Sequence, residues 1–324
     1  MRGKVVRMRS LVVVLVGCFL SWPALADRDR IVDHRGSDPH ATNSSPLKRY
    51  GDSLQAGTHL TRQTIEADDG GALNSRVVEF GAALKPMDEL GISATLGQSG
   101  RMGEADIQQE ELAIGLGGAY HVSDFQIGLG LRHSVLSEKY ESSSVTTSTD
   151  YSKTIFTLGG TATFGEMRMG VSVQPKVVTD HEYENSYDDG DETTAKSSDI
   201  DPETHRLFAA YEIVKNVSLQ LDIERTYSAM KKHKSASSTH TTAVVGATTV
   251  TVGGWFRLDD AHRILASVGR HRTEQDRRDA YNLTTLGYDW SIASSIVSAD
   301  IVYGKLLSDV TLTGFTLAYT HVIR

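Results

Sequence analysis

From Ser53 onward the chain alternates apolar with small or polar residues over segments of about ten, the dyad period of a half-buried strand. Val78, Phe80, Ala82 and Leu84 alternate with Glu79, Gly81, Ala83 and Lys85, and Leu219, Leu221 and Ile223 alternate with Gln220, Asp222 and Glu224. Successive side chains of a strand point to opposite faces, so each segment carries one apolar and one wettable face. A soluble sandwich has the same alternation, and the connections decide between the two. Short links fall at Pro86-Met87-Asp88-Glu89, Val122-Ser123-Asp124, Gly165-Glu166, Val214-Lys215-Asn216, Asp259-Asp260-Ala261 and Ala293-Ser294-Ser295. Between them lie polar stretches near 66–75, 98–106, 138–151, 180–203, 229–241, 271–280 and 305–311, which read as long loops. This strict alternation predicts an all-β, antiparallel up-and-down transmembrane barrel of about 14 strands, within roughly 12 to 16, with both ends on the short-turn side.

Aromatic residues gather where strands meet the short turns. Tyr120, Phe125, Phe164, Tyr211, Phe256, Trp290 and Tyr319 are expected to form a periplasmic aromatic girdle. No uncharged stretch reaches the roughly 20 residues that a membrane-spanning helix needs. The longest, Thr241 to Phe256, is dominated by Thr, Val and Gly, which leaves strands as the only means of crossing.

The N-terminus changes the picture in one respect. Arg2, Lys4, Arg7 and Arg9 precede an apolar run from Leu11 to Leu20, and Ala24-Leu25-Ala26 offers a small-x-small cleavage site, so residues 1–26 read as a secretion signal. Leu15-Val16-Gly17-Cys18 also matches a lipoprotein box, against which the apolar Phe19, Leu20 and Trp22 weigh. Cleavage after Ala26 removes Cys18, the single cysteine, and leaves a chain with neither disulfides nor thiolate chemistry. Losing the four signal cations reduces 33 Lys+Arg to 29 against 41 Asp+Glu, a net charge of −12, which disfavours nucleic acid as a partner. Residues 27–52 show no alternation and read as an irregular periplasmic segment, either a polar tail or a small plug; the barrel is expected to run from 53 to 324.

Over Ser53 to Ile323 the chain resembles the Gram-negative outer-membrane β-barrels, although it carries no motif of a particular family. In size and strand count it is similar to the small monomeric porins of about 14 strands; fatty-acid and aromatic-hydrocarbon transporters also use that count, typically in longer chains with an N-terminal hatch. The last strand, with Phe315, Leu317, Tyr319 and Ile323, resembles the signal read by the barrel assembly machinery, except that Arg324 stands where Phe or Trp is usual. The resemblance implies residence in the cell outer membrane, contact with its lipid and lipopolysaccharide, and favours a monomer.

A barrel of this width is too wide for side chains alone to fill, so a passage or a plug is expected. The faces opposite the apolar stripe are small, as at Gly115, Gly117, Gly128, Gly130, Thr157 and Gly159. Among them stand charges expected to line the passage: Glu79, Lys85, Arg132, Arg168, Lys176, Asp222, Glu224, Arg263, Asp289 and Asp300. The stretch Asp180 to Glu203 is strongly acidic, with Asp188, Asp189, Asp191 and Glu192 at its centre. Lys231, Lys232, Arg272 and Arg277 make two later segments basic. Loops of opposite charge over one mouth would attract and narrow it, an effect that salt weakens.

Catalytic and metal chemistry find little support. His133 and Ser134 are neighbours on a strand and point to opposite faces. His181, His233 and His271 have acids nearby but no spacing that specifies a hydrolase, and Asp188-Asp189-Gly190-Asp191-Glu192 lacks the spacing of a calcium-binding loop. No catalytic residue, metal or cofactor is expected. The leading expectation is an outer-membrane channel for passive diffusion of small hydrophilic solutes or ions. A transporter of hydrophobic compounds, an adhesin or structural barrel, and a rim-located hydrolase are the alternatives.

Overall fold

The computed structural model describes residues 54–67, 72–87, 90–103, 107–141, 145–187, 191–214, 216–234, 239–259, 261–274, 280–292, 295–307 and 310–323. The expected secretion signal (1–26) and expected N-terminal segment (27–52), Asp188, Asp189 and Arg277 lie outside the described residues, as do the side chains of Lys85, Lys231 and Lys232.

Strands β1 (Leu54–Ala67), β2 (Ala72–Met87), β3 (Leu90–Gly103), β4 (Ile107–Val122), β5 (Phe125–Glu141) and β6 (Val145–Phe164) follow one another as antiparallel neighbours. Eight shorter segments come next: β7 (Met167–Gln174), β8 (Val177–Tyr187), β9 (Glu192–Asp201), β10 (Thr204–Val214), β11 (Val217–Thr226), β12 (Ala229–Lys234), β13 (Thr239–Val244) and β14 (Ala247–Arg257). Strands β15 (His262–Thr273), β16 (Ala280–Ile292), β17 (Ser295–Leu307) and β18 (Val310–Ile323) complete the meander. β18 pairs with β1 along the whole of β1, from Leu54↔Ile323 to Ala67↔Val310, so the sheet closes on itself. Closure leaves the sheet without an open edge strand, which hydrocarbon demands.

The eight short segments join in pairs into four continuous staves. β7 and β8 both lie beside β6, and their registers with the next stave meet across the join at Gln174↔Thr204 and Val177↔Asp201. Eighteen segments thus form 14 staves, the number expected from the turns. The joins fall at Pro175-Lys176, Pro202-Glu203, Tyr227-Ser228 and Val245-Gly246, side by side around the wall. Two prolines explain the first two, since proline has no amide hydrogen for the ladder and is confined to bulges within a sheet.

Each join sets two residues, rather than one, between successive inward positions. The order of inward and outward side chains therefore inverts on all four staves. The ladder also lapses beside the joins: β6 pairs with β7 up to Leu158↔Val173 and with β8 from Ser148↔Glu184, leaving 149–157 unladdered against 174–183. A second lapse separates 198–202 from 228–232, beyond the backbone hydrogen bond from Tyr227 N to Glu203 O at 2.9 Å.

Consecutive strands end and begin at Met87 and Leu90, Val122 and Phe125, Phe164 and Met167, Val214 and Val217, Arg257 and His262, and Ile292 and Ser295, at the six short links that the sequence places. Ser123 and Gly165 adopt left-handed conformations there, with φ of 53° and 59°. The long loops are corrected. Most of 138–151, 180–203 and 229–241 is strand, and the staves overrun the apolar band before they turn. Beyond the hydrocarbon both faces of a sheet are wet, so Thr, Ser and charged residues continue the ladder without any apolar stripe. The outward face between the two ends exposes Phe80, Leu116, Ile127, Leu158, Val252 and Ile301 among many others, a belt that only lipid can cover.

Candidate functional site

β5 illustrates how the alternation builds the lumen. Phe125, Ile127, Leu129 and Val135 point out, while Gln126, Gly128, Gly130, Ser134 and Leu136 point in and are buried. The same parity, carried across the registers, places Glu79, Arg132, Arg168, Asp222, Glu224, Arg263, Asp289 and Asp300 inward. Lys176 is corrected: it sits at the Pro175 join, where the parity inverts, and is exposed on the outer side. The seven aromatics Tyr120, Phe125, Phe164, Tyr211, Phe256, Trp290 and Tyr319 all stand exposed on the outward face beside the short turns, with Phe125 and Phe164 edge to face at 6.1 Å.

Several of the inward charges pair with one another, fully buried in one case and partly buried in others. Near the short-turn end Arg263 donates from Nε to Asp289 Oδ2 at 2.8 Å, with a second contact from Nη2, and only 2% of the Arg263 side chain is exposed. Arg206 grips Asp222 in the same way. The guanidinium groups of Arg257 and Arg263 lie over the Trp255 ring, at 5.5 and 5.7 Å from its centroid. Arg168 covers the ring of Phe208 at 5.7 Å, and its Nε and Nη2 are buried without hydrogen-bond partners. Phe208 fits because Gly170 faces it: a Cβ there would lie 2.2 Å from Phe208 Cε1.

Nearer the other end a second polar group spans four strands. Arg132 donates to Glu111 at 3.1 Å, and Gln109 donates to Glu138 at 2.7 Å. Tyr151 donates to Glu138 and lies 3.3 Å from Asp199, while Lys153 donates to Asp201 at 2.9 Å and to Asp199 at 3.4 Å. Tyr151 also stacks on His181 at 4.4 Å across the lapse in the β6–β8 ladder. Side chains thus hold the hairpin of β8 and β9 where the backbone does not. Ala113 and Leu136 are inward and buried on the strands of this group, and Leu283 on β16 and Val310 and Leu312 on β18 are inward and buried as well, with no part of Leu312 exposed.

Sequence reasoning missed Glu111, Lys153, Asp199, Asp201, Arg206, Phe208 and Trp255. For Trp255 the signal was present, since its neighbour Phe256 belongs to the outward aromatics and adjacent strand residues face opposite ways. Asp199 and Asp201 read as loop charges and are instead buried inward residues of β9.

The outer charges are arranged differently from two loops over a mouth. Glu192 opens β9 and is exposed, with Asp191 just before it, and Arg272 is exposed near the end of β15. Basic β12 pairs alongside acidic β9 at His233↔Ser197 and Lys234↔Lys196, so the two charge runs adjoin within the wall. On the wet outer face of this hairpin, a hydrogen bond from Lys196 at 2.8 Å holds the Glu182 carboxyl below its ordinary range. At the joins, Ser228 donates to Glu274 at 2.6 Å and accepts from Gly246 N at 2.9 Å, while Glu274 N donates to Gly246 O at 2.8 Å. The Ser228 hydroxyl lowers the Glu274 carboxyl in turn.

No family model and no curated protein matches the chain. The fold is similar to that of a Pseudomonas aeruginosa FadL homologue, at 12% identity over 88% of this chain and 94% of that one, with a TM-score of 0.72. It is similar as well to the CymD monoaromatic hydrocarbon channel, at 11% identity over 91% and 94% of the two chains and a TM-score of 0.68. The Pseudomonas putida toluene transporter TodX follows, with 12% identity, 89% and 93% coverage and a TM-score of 0.64. The closed wall, the lipid-facing belt and these likenesses agree: the chain has the fold of a Gram-negative outer-membrane β-barrel.

Proposed function

We propose that this outer-membrane barrel is a channel for small hydrophobic compounds, with aromatic hydrocarbons as the first class to test. The observation that carries the reading is the state of the inward face. Several of its charges are spent on one another in buried or partly buried pairs, and buried apolar and aromatic groups such as Leu136, Leu312, Phe208 and Trp255 share the same face. A passage for hydrophilic solutes needs its charges wet and available, whereas a hydrophobic solute needs apolar surface and a route that avoids unpaired polar groups. The fold supports the same choice, because the FadL homologue, TodX and CymD share it, and the last two are a toluene transporter and a monoaromatic hydrocarbon channel.

In this reading a solute entering between the long staves meets Leu283, Val310 and Leu312, and the aromatic tier of Phe208 and Trp255 lies further down. The unladdered stretch between 149–157 and 174–183 is the part of the wall with fewest backbone bonds to break, and the natural place for a solute to leave the lumen sideways. The reading assigns no catalysis to the chain. Cleavage of residues 1–26 and assembly by the outer-membrane machinery belong to the proposal as well.

Uptake of radiolabelled toluene into cells lacking their own hydrocarbon channels tests it, with planar-bilayer conductance measured on the same purified protein. The expected result is uptake that depends on the barrel, with conductance well below that of a diffusion porin. High conductance with free passage of sugars, and no toluene uptake, reinstates hydrophilic diffusion.

A further inference from the structure

On the outward face of β1 and β2, Arg62 and Arg76 stand directly opposite each other, both exposed. Like charges at directly opposed positions destabilise a sheet. Among the described residues neither guanidinium has a hydrogen-bond or ion-pair partner.

Their surroundings change character at that rung. One rung toward the short turns, Leu60 opposes Val78 and Leu317, all apolar and facing out. One rung the other way, Thr64 opposes Asn74 and Thr313, and the Thr64 hydroxyl donates to Asn74 Oδ1 at 3.0 Å. Along the rung itself Phe315 flanks Arg62 and Gly100 flanks Arg76. A Cβ on Gly100 would lie 3.6 Å from Arg76 Nε, so the arginine leans over the glycine, beyond which exposed Glu110 continues the rung on β4. Two guanidinium groups therefore occupy the line where the hydrocarbon belt gives way to hydroxyl and amide groups. The same step recurs further round the wall, where exposed Arg270 and Lys305 flank Asn282.

We propose that Arg62 and Arg76 form a binding site for the phosphate of an outer-leaflet glycolipid, whose acyl chains lie down the face formed by Leu60, Val78, Leu317 and Phe315. The pair lies toward the end where staves overrun the belt, opposite the short turns, which places it in the outer leaflet. A phosphate between the guanidinium groups turns their repulsion into two charge-assisted contacts, for which the planar arginine fork is well suited. A soluble anion has no use for the apolar rung below. A lipid uses both halves. The site rests on the membrane placement alone and is independent of what the lumen carries.

The test is native mass spectrometry of the purified barrel in detergent, titrated with bis-phosphorylated lipid A, with its dephosphorylated form, and with inorganic phosphate. Wild-type protein is expected to retain bis-phosphorylated lipid A. R62Q and R76Q should each weaken retention roughly fivefold, the factor matching about 1 kcal/mol per basic residue at an anionic lipid surface. R62Q/R76Q should fall to the level of dephosphorylated lipid, and R62K/R76K should keep part of the binding. Heat-modifiable gel migration checks that each variant is folded. In lipid-free detergent R62Q should unfold no more readily than wild type, since it removes a repulsion, and with lipid A the order should reverse. Equal retention by R62Q/R76Q, or displacement of the lipid by millimolar inorganic phosphate, overturns the proposal.

Discussion

The pair Arg263–Asp289 decides between a wet and an occluded lumen. The two side chains are 2% and 5% exposed and share a hydrogen bond of 2.8 Å. Removing one partner of a buried pair leaves an uncompensated charge and costs about 3–5 kcal/mol, whereas replacing both with apolar residues of similar volume is close to neutral. A pair bathed in lumen water behaves like a surface salt bridge, worth about 0–1 kcal/mol. D289L, R263M and the double variant, unfolded by urea in lipid vesicles and followed by tryptophan fluorescence, form a double-mutant cycle. We expect each single change to cost about 3 kcal/mol or more, and the double variant to recover most of that loss. Single changes costing under about 1 kcal/mol, with additive effects in the double variant, mean a hydrated pair. That result refutes both the occluded lumen and the argument drawn from it about solute class.

Three further outcomes follow from the joins and the aromatic tier. P175V/P202V supplies two amides to the ladder and should slow toluene uptake while raising resistance to urea; unchanged uptake removes the side route. Gly170→Ala puts a methyl group where the Phe208 ring lies, at 2.2 Å, and should cost about 1–3 kcal/mol of stability through overpacking, with recovery in a G170A/F208L double variant. Glu274 has its carboxyl pKa lowered by the Ser228 hydrogen bond, so its share of stability is present above the ordinary carboxylate pKa and lost as pH falls through the lowered value. E274Q should accordingly flatten the acid limb of the unfolding profile and leave the neutral region little changed; an unaltered acid limb dismisses the staple.

The membrane cylinder was legible in the sequence because its rules are local. Val78-Glu79-Phe80 or Leu219-Gln220-Leu221 states which side chain faces lipid without reference to any other strand, and Gly165-Glu166 or Ser123-Asp124 states where the chain reverses. What failed was non-local. Lys176 was expected to line the passage, and the join at Pro175 inverts parity in a way that shows only when the neighbouring stave is in place. Asp199 and Asp201 look like solvated acids until β6 brings Lys153 to within 3.4 Å and 2.9 Å of them. Composition reports their charge, and only pairing reports their partner. The polar stretches were read as loops because outside hydrocarbon the apolar stripe, the one sign that distinguishes strand from loop there, is no longer needed.

The four aligned joins make the barrel two-tiered in its design. Every stave below them is bonded to both neighbours within the apolar belt, through pairs such as β7 with β10 and β11 with β14, with no help from the segments above. The crown formed by β8, β9, β12 and β13 can therefore be shortened, lengthened or recharged without altering any register in the membrane. Change at the cell surface can thus proceed while the registers that hold the wall in the membrane stay fixed.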